Sequence, residues 1–400
     1  MAVKTACQPQ LRSANYLFIS QLFTAAASSF IVKTLLIDLV KDIRMKHKIF
    51  ALFTASLMIF NLAGFALADT KRGKAKKAQV NPLVALLPAS DAVISLDARR
   101  FFADGLPRVL ASNQPMLAEV MAKLDEMKTK TGFDLRQFDQ VAVGLAAKQV
   151  SAKEIDFDPV VIARGNYPAG ALLSVAKLAS NGTYREEKVG ARSIYVFSAR
   201  DLVQKNASKA GNSKLGAMIE RALNGFSNEV AITSLDANTV AVGSLLRVRQ
   251  TVEAKTRVGI DMTNLLARKP ASILTFAAKT PDGMSKFLPL DNDELGKNLD
   301  SIRYLSGSMD MTNNAAVVNF IARTVRADQA AELLQTLSGL QLVGKAFLGG
   351  AKGADKQVYA RMIDNVRFAQ TGNEVTLDLS VPQSDIDILV GQIKYLFPVN

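Results

Sequence analysis

Two parts of the chain run through the same succession of patterns. PVVIARGNYPAGALLSVAKLA, from Pro159, and VVNFIARTVRADQAAELLQTL, from Val317, each read as a strand running straight into a helix. EVAITSLDANTVAVGSLLRVRQTV, from Glu229, and NVRFAQTGNEVTLDLSVPQSDIDIL, from Asn365, each read as a hairpin followed directly by a helix. The offsets are about 158 and about 136 residues, and an insert near 183–228 in the first part accounts for the difference. A supersecondary unit that recurs must bury the same faces each time, which narrows the folds open to the chain. The pattern predicts an α+β fold of two tandem βαββαβ-like units, antiparallel sheets backed by helices on one face. The first half covers 81–268 and the second 269–400.

Local signals fill in the order. AVISLD (92–97) reads as a strand, followed by helices at about 98–111 and 115–130, the second closed by Thr131-Gly132 as a glycine cap. Strands are expected at 138–146 and 159–164, and Pro168 opens a helix with Leu172, Val175, Ala176 and Ala179 on one face. TYREEKV and RSIYVF form a hairpin around Val189-Gly190-Ala191, then a polar, helix-prone insert runs to Gly225. EVAITSL and TVAVG pair around Asp236-Ala237-Asn238 before a helix at about 245–254. In the second half a strand is expected at 272–279, helix or turn at 281–299, and a hairpin of 302–310 with 315–323 around Thr312-Asn313-Asn314. A helix from Ala327 stacks Ala330, Leu334, Leu337 and Leu340, and a last hairpin leads into a helix carrying Ile386, Leu389, Val390 and Ile393. Alternation in TVAVG and EVTLDLS implies sheets with one solvated face.

Ahead of this body, MKHKIFALFTASLMIFNLAGFALADT (from Met45) has the three parts of a secretory signal. Lys46 and Lys48 give a positive start, 49–60 an apolar run, and Ala66-Leu67-Ala68 the small residues a signal peptidase accepts. Cleavage is expected between Ala68 and Asp69, giving an exported, periplasmic or extracellular chain. The alternative is an uncleaved anchor, because 49–68 is 20 residues, just enough to span a bilayer. Residues 1–44 read as an upstream over-call with Met45 the true start, or as a membrane-associated segment. With the leader removed, the only His (His47) and the only Cys (Cys7) go with it, and the chain has no Trp. A Ser-His-Asp triad, a thiol nucleophile, His/Cys zinc sites and disulfides then lack their atoms. The basic excess is local too. The linker 69–80 opens with DTKRGKAKK, and 78–400 holds 37 Lys+Arg against 33 Asp+Glu, or +4. That balance gives no phosphate-binding stripe, so no nucleic-acid partner is expected; residues 71–77 suit weak contact with an anionic membrane surface.

Motifs that could carry chemistry are few. Ser174 and Lys177 match S-x-x-K and Lys130-Thr131-Gly132 matches K-T-G, in the reverse of the β-lactamase order and without S-D-N. Asp291-Asn292-Asp293-Glu294 lacks the glycine and distant Glu of an EF-hand loop and reads as a helix start. Glu154, Asp156 and Asp158 read as linker residues between strands. Gly344, Gly349, Gly350 and Gly353 resemble a phosphate loop but lack G-K-[ST] and follow a helix, so they read as a connector. Asp97, Arg99 and Arg100 read as a salt-bridged strand–helix junction. No catalytic, cofactor-binding or metal residues are expected, and no cofactor.

LLPASDAVISLD, then LPRVL, a charged helix and TGFDLRQFDQVAVGL resemble a family of exported bacterial proteins of unknown function, over about 81–180. There an LP-x-D turn leads into the first strand; the turn here is one residue longer. The resemblance implies location and a duplicated α+β body, and no catalytic residue. A non-catalytic exported binding or scaffold protein of the cell envelope, acting through its sheet faces or the groove between its halves, is therefore expected. The alternatives are an envelope hydrolase using carboxylates or Ser/Lys, and a membrane-tethered assembly factor.

Overall fold

The computed structural model describes residues 81–151, 154–180, 182–198, 229–287, 293–312, 314–350 and 353–393. Residues 1–44, the leader at 45–68, the linker at 69–80, positions 199–228 of the insert, and Asp291 with Asn292 lie outside them. The strands are β1 Ala92–Asp97, β2 Phe138–Ser151, β3 Glu154–Gly165, β4 Arg185–Val189, β5 Arg192–Ser198 and β6 Glu229–Asp236. Then come β7 Thr239–Gly243, β8 Leu274–Lys279, β9 Ile302–Met311, β10 Ala315–Thr324, β11 Arg367–Thr371 and β12 Glu374–Pro382. Helical run α1 (98–109) has a π-helical middle at Phe101–Gly105, and α2 is Gln114–Thr131. The others are α3 Ala169–Ala179, α4 Leu245–Glu253, α5 Ile260–Leu266, α6 Asp293–Asp300, α7 Ala327–Leu348, α8 Ala354–Asn365 and α9 Gln383–Ile393.

All twelve strands belong to one antiparallel sheet, in the order β11-β12-β10-β9-β8-β1-β2-β3-β7-β6-β5-β4. The two separate sheets expected from the sequence are corrected to one. The join is β1 against β8, with Val93 opposite Ala277 and Ile94 opposite Phe276. Both Val93 and Ala277 are fully buried, so parting the halves would open two apolar edges, which pairing removes.

The sheet has helices on both faces. On the back, Val93, Ala142, Val160, Ile162, Ala241 and Ala231 are covered by Leu83, Val84 and Leu87 of the 3-10 turn Pro82–Leu86 and by Val248 and Met262 of α4 and α5. On the front, one cluster joins Phe101, Leu106, Leu110 and Val120 to Met311, Val358, Leu379, Val381, Ile386 and Val390. Smaller front clusters gather Ala163, Val240, Tyr167 and Leu172 under α3, and Leu305, Ala322, Val375, Ala330 and Leu333 under α7.

Local chemistry explains most element ends. Asn113 caps α2 by accepting from the Met116 N–H at 3.2 Å, and Gly132 ends it at φ +70° with its N–H on the Lys128 carbonyl. The LPASD turn is held from α4: Arg247, almost wholly buried, donates to the Ala89 carbonyl at 2.7 Å and to Ser90 Oγ at 2.6 Å. Burial pushes its guanidinium below the ordinary arginine pKa, against the favourable charges of Asp158 and Asp91.

Several expectations are corrected. β2 and β3 run on past their neighbours as a paired hairpin, because Ala147–Phe157 and Lys148–Asp156 continue the register. Asp156 and Asp158 therefore sit in a strand, not a linker, and buried Asp158 pairs with Lys148 at 2.7 Å. Gly344 is a buried position inside α7, and Gly353 at φ +121° starts α8, so the glycine run is mostly helix end and helix start. Helices α5 and α8 were not foreseen.

One electrostatic prediction arises at the start of β2. Asp134 accepts from the Arg136 side chain and from its backbone N–H, and this holds its carboxyl at about 2, against the desolvation that raises it. A carboxyl depressed by folding adds stability above the unfolded carboxylate range, lost as pH falls through the folded value. About 2 kcal/mol should disappear between roughly pH 4 and pH 2. Urea unfolding of the Asp134→Asn variant should show no such loss over that window.

Candidate functional site

The residues flagged in the sequence are not brought together. Ser174 Oγ donates back to the Gly170 carbonyl at 3.0 Å on the exposed side of α3. Lys177 Nζ instead lies 3.7 Å from the Tyr195 ring centre and 5.0 Å from that of Tyr184. Desolvation works to lower the Lys177 pKa, but its contacts with Tyr195 and the Glu186 charge outweigh it, and the net direction is upward. A lysine acting as a general base for serine needs the opposite shift. Gly132 serves as the cap already described. Asp293 and Glu294 begin α6. Among the described residues no group of three acidic, His or Cys side chains could hold a metal.

The Asp97 junction is a structural clamp. Asp97 caps α1 by accepting from the Arg100 N–H, Arg99 pairs with Asp139 at 2.5 Å, and Arg100 reaches Asp310 of β9 at 2.7 Å. The buried Tyr167, its pKa raised mainly by desolvation, donates to the Ala163 carbonyl and packs edge-on against Phe133 and Phe138.

What the fold does bring together is a line of apolar side chains on the front of the sheet. The strand registers place Phe368, Leu377, Phe320, Gly307, Phe276, Ile94, Val143, Val161, Val242, Ile232 and Tyr195 side by side, one per strand from β11 to β5. Because strand side chains alternate, each has buried neighbours on the opposite face: Val93, Ala142, Val160, Ile162 and Ala241 are sealed on the back. The front line is different. Its side chains are half-buried, and Phe320 is the most open at 37%.

Gly307 occupies the middle of the β8–β10 part of this line. A Cβ there would stand 2.4 Å from Phe276 Cε1, so the missing side chain is where the Phe276 ring lies. Phe276 and Phe320 thereby meet edge-on across β9, with ring centres 5.9 Å apart. In the second half helices cover the positions on either side of the line: Leu305, Ala322 and Val375 lie under α7, and Met309, Val318 and Leu379 against the large front cluster. In the first half Val141, Ala163 and Val240 are covered at the α3 side. The line carries no catalytic group; it offers apolar contact.

This site was missed in the sequence because it exists only through strand order. Ile94 and Phe276 stand in unrelated segments until β1 meets β8. The alternation inside AVISLD, LTFAAK and NFIART was its visible part.

No helix among the described residues is long and apolar enough to cross a membrane. No family model matches the chain, and no curated protein matches it. Solved structures of TP0453 are similar at a low level. Crystal form I has TM-score 0.36 and 11% identity, covering 80% of this chain and 100% of that one. Crystal form III has TM-score 0.38 and 10% identity over 79% of this chain and 100% of that one. Crystal form IV has TM-score 0.38 and 11% identity over 79% of this chain and 98% of that one.

Proposed function

We propose that this chain is an exported, non-catalytic binding protein of the bacterial cell envelope, and that it binds through the apolar line on the front of its sheet. The observation that carries the reading is the line itself: one face-sharing side chain per strand, half-exposed, beside a back face that is sealed. Exposed apolar surface of this continuity marks interaction sites in soluble proteins. The leader at 45–68 and the resemblance of 81–180 to exported proteins support the location. The basic residues 71–77 add a weak attraction to anionic membrane surfaces.

We also propose that the body arose by duplication. The order β1-β2-β3-β7-β6 is matched by β8-β9-β10-β12-β11, with hairpin β4–β5 as the addition at the first half's outer edge. Ile162-Ala163-Arg164 and Ile321-Ala322-Arg323 then occupy equivalent places in β3 and β10. The pairing of halves 81–268 and 269–400 supports this reading. The hydrolase alternative draws no support from Ser174 and Lys177, whose side chains make other contacts.

The test is binding of 1-anilinonaphthalene-8-sulfonate to the folded exported form, residues 69–400. Fluorescence should rise with the wild type and fall several-fold with Phe320→Glu at an unchanged thermal midpoint. Equal fluorescence from both would remove the front line as the binding surface.

A further inference from the structure

The apolar line is narrow, and its narrowness limits what can lie in it. Positions flanking it along each strand are two residues away, about 6.8 Å on either side. In the second half both flanks sit under helices. Flanking positions about 14 Å apart, each under a helix some 10–12 Å across, leave a clear gap of only a few ångström. The exposures agree, because a face wide enough for a partner helix or strand would leave Ile94, Val143 and Phe276 largely open, yet they are half-buried. From Val242 to Phe320 the line crosses seven strands, a run of about 29 Å at ~4.8 Å per strand. Its side chains are Val242, Val161, Val143, Ile94, Phe276 and Phe320, with Gly307 between the two rings. None can donate or accept a hydrogen bond, and the sheet pairs the backbone beneath them.

We propose that the occupant is a single polymethylene chain, the acyl chain of a lipid or free fatty acid, recognised by its hydrocarbon and not by its head. This rests on the front line being the binding surface. A slot with no polar side chain gives no purchase on a headgroup. Its length rewards each added methylene until the run is filled, and its width excludes an amphipathic helix. The Phe276 and Phe320 rings form the floor at one end, and Gly307 lets the Phe276 ring lie flat across β9.

The experiment uses residues 69–400 with 1-anilinonaphthalene-8-sulfonate bound, displaced by octanoate, dodecanoate, hexadecanoate or hexadecan-1-ol below their aggregation limits. Affinity should rise about fourfold per methylene, the step expected for each CH₂ buried. Hexadecanoate and hexadecan-1-ol should agree within a few-fold, and both should weaken at least tenfold in Phe320→Glu. Phe320→Ser, which removes the ring without adding charge, should weaken both by a smaller factor and guards against a folding defect in the first variant. Equal affinity for octanoate and hexadecanoate, or strong preference for the carboxylate, would overturn the acyl proposal. If the dye responds to Phe320→Glu but no acyl chain displaces it, the acyl occupant falls and the binding surface stands. If the dye ignores Phe320→Glu, both fall. Separation of the fatty acids from an intact phospholipid comes from repeating the titration with vesicles of phosphatidylglycerol: extraction of lipid into the soluble fraction assigns the membrane as source, and its absence assigns the free acid.

Discussion

Expressed alone, residues 269–400 are expected to remain unfolded, and residues 69–268 to lose cooperative structure. The large front cluster takes Phe101, Leu106, Leu110 and Val120 from the first half and Met311, Val358, Leu379, Val381, Ile386 and Val390 from the second. Removing four such side chains from their burial costs about 1.5–3 kcal/mol each, a total comparable with the ~5–15 kcal/mol that holds a whole domain. The cut also breaks Arg100–Asp310, the Arg108 bond to the Thr312 carbonyl at 2.8 Å, and the Arg268–Glu374 pair at 3.0 Å. Far-ultraviolet circular dichroism and urea titration of each fragment check this, and mixing the two should restore one transition. A sharp transition from 269–400 alone would show that the halves have separable cores.

The second large effect is at Gly165. An added Cβ would stand 2.2 Å from the Gln137 carbonyl oxygen, 2.7 Å from Tyr167 Cε1 and 2.8 Å from Phe138 Cα. Two of these are backbone atoms, which cannot swing aside, and the Asn166 N–H is bonded to that same Gln137 carbonyl. Gly165→Ala should therefore cost at least ~3 kcal/mol, the range of overpacked cores and broken backbone contacts combined. Gly170→Ala is the control. No atom lies within 4 Å of a Cβ there, the site is in helix α3, and alanine should stabilise by up to ~1 kcal/mol. The difference in urea midpoint between the two variants reads the effect directly.

The elements were legible wherever periodicity and punctuation agreed. Gly132 announced the end of α2, Gly190 and Gly372 marked their hairpins, and the strand–helix runs at 159 and 317 appeared as equivalents. Helix α8 was hidden because Gly349, Gly350 and Gly353 at its head outweigh the buried Val358, Met362 and Ile363 spaced along one side. The hairpin tip of β2–β3 was hidden because Lys148, Gln149, Asp156 and Asp158 look like loop composition, while pairing between the two strands supplies the extended form. The single sheet was not legible at all. Pairing of β1 with β8 is a long-range choice with no local signature, and the apolar line depends on it.

That same seam sets an order of events. Ile94 and Phe276 are about 180 positions apart in the chain, so the first strand made waits for most of the polypeptide before its partner exists. Closure over such a distance is slow, and until then AVISLD is an unpaired edge that invites wrong neighbours. A polypeptide bound for translocation gains from that delay: it stays threadable while its own completion is impossible.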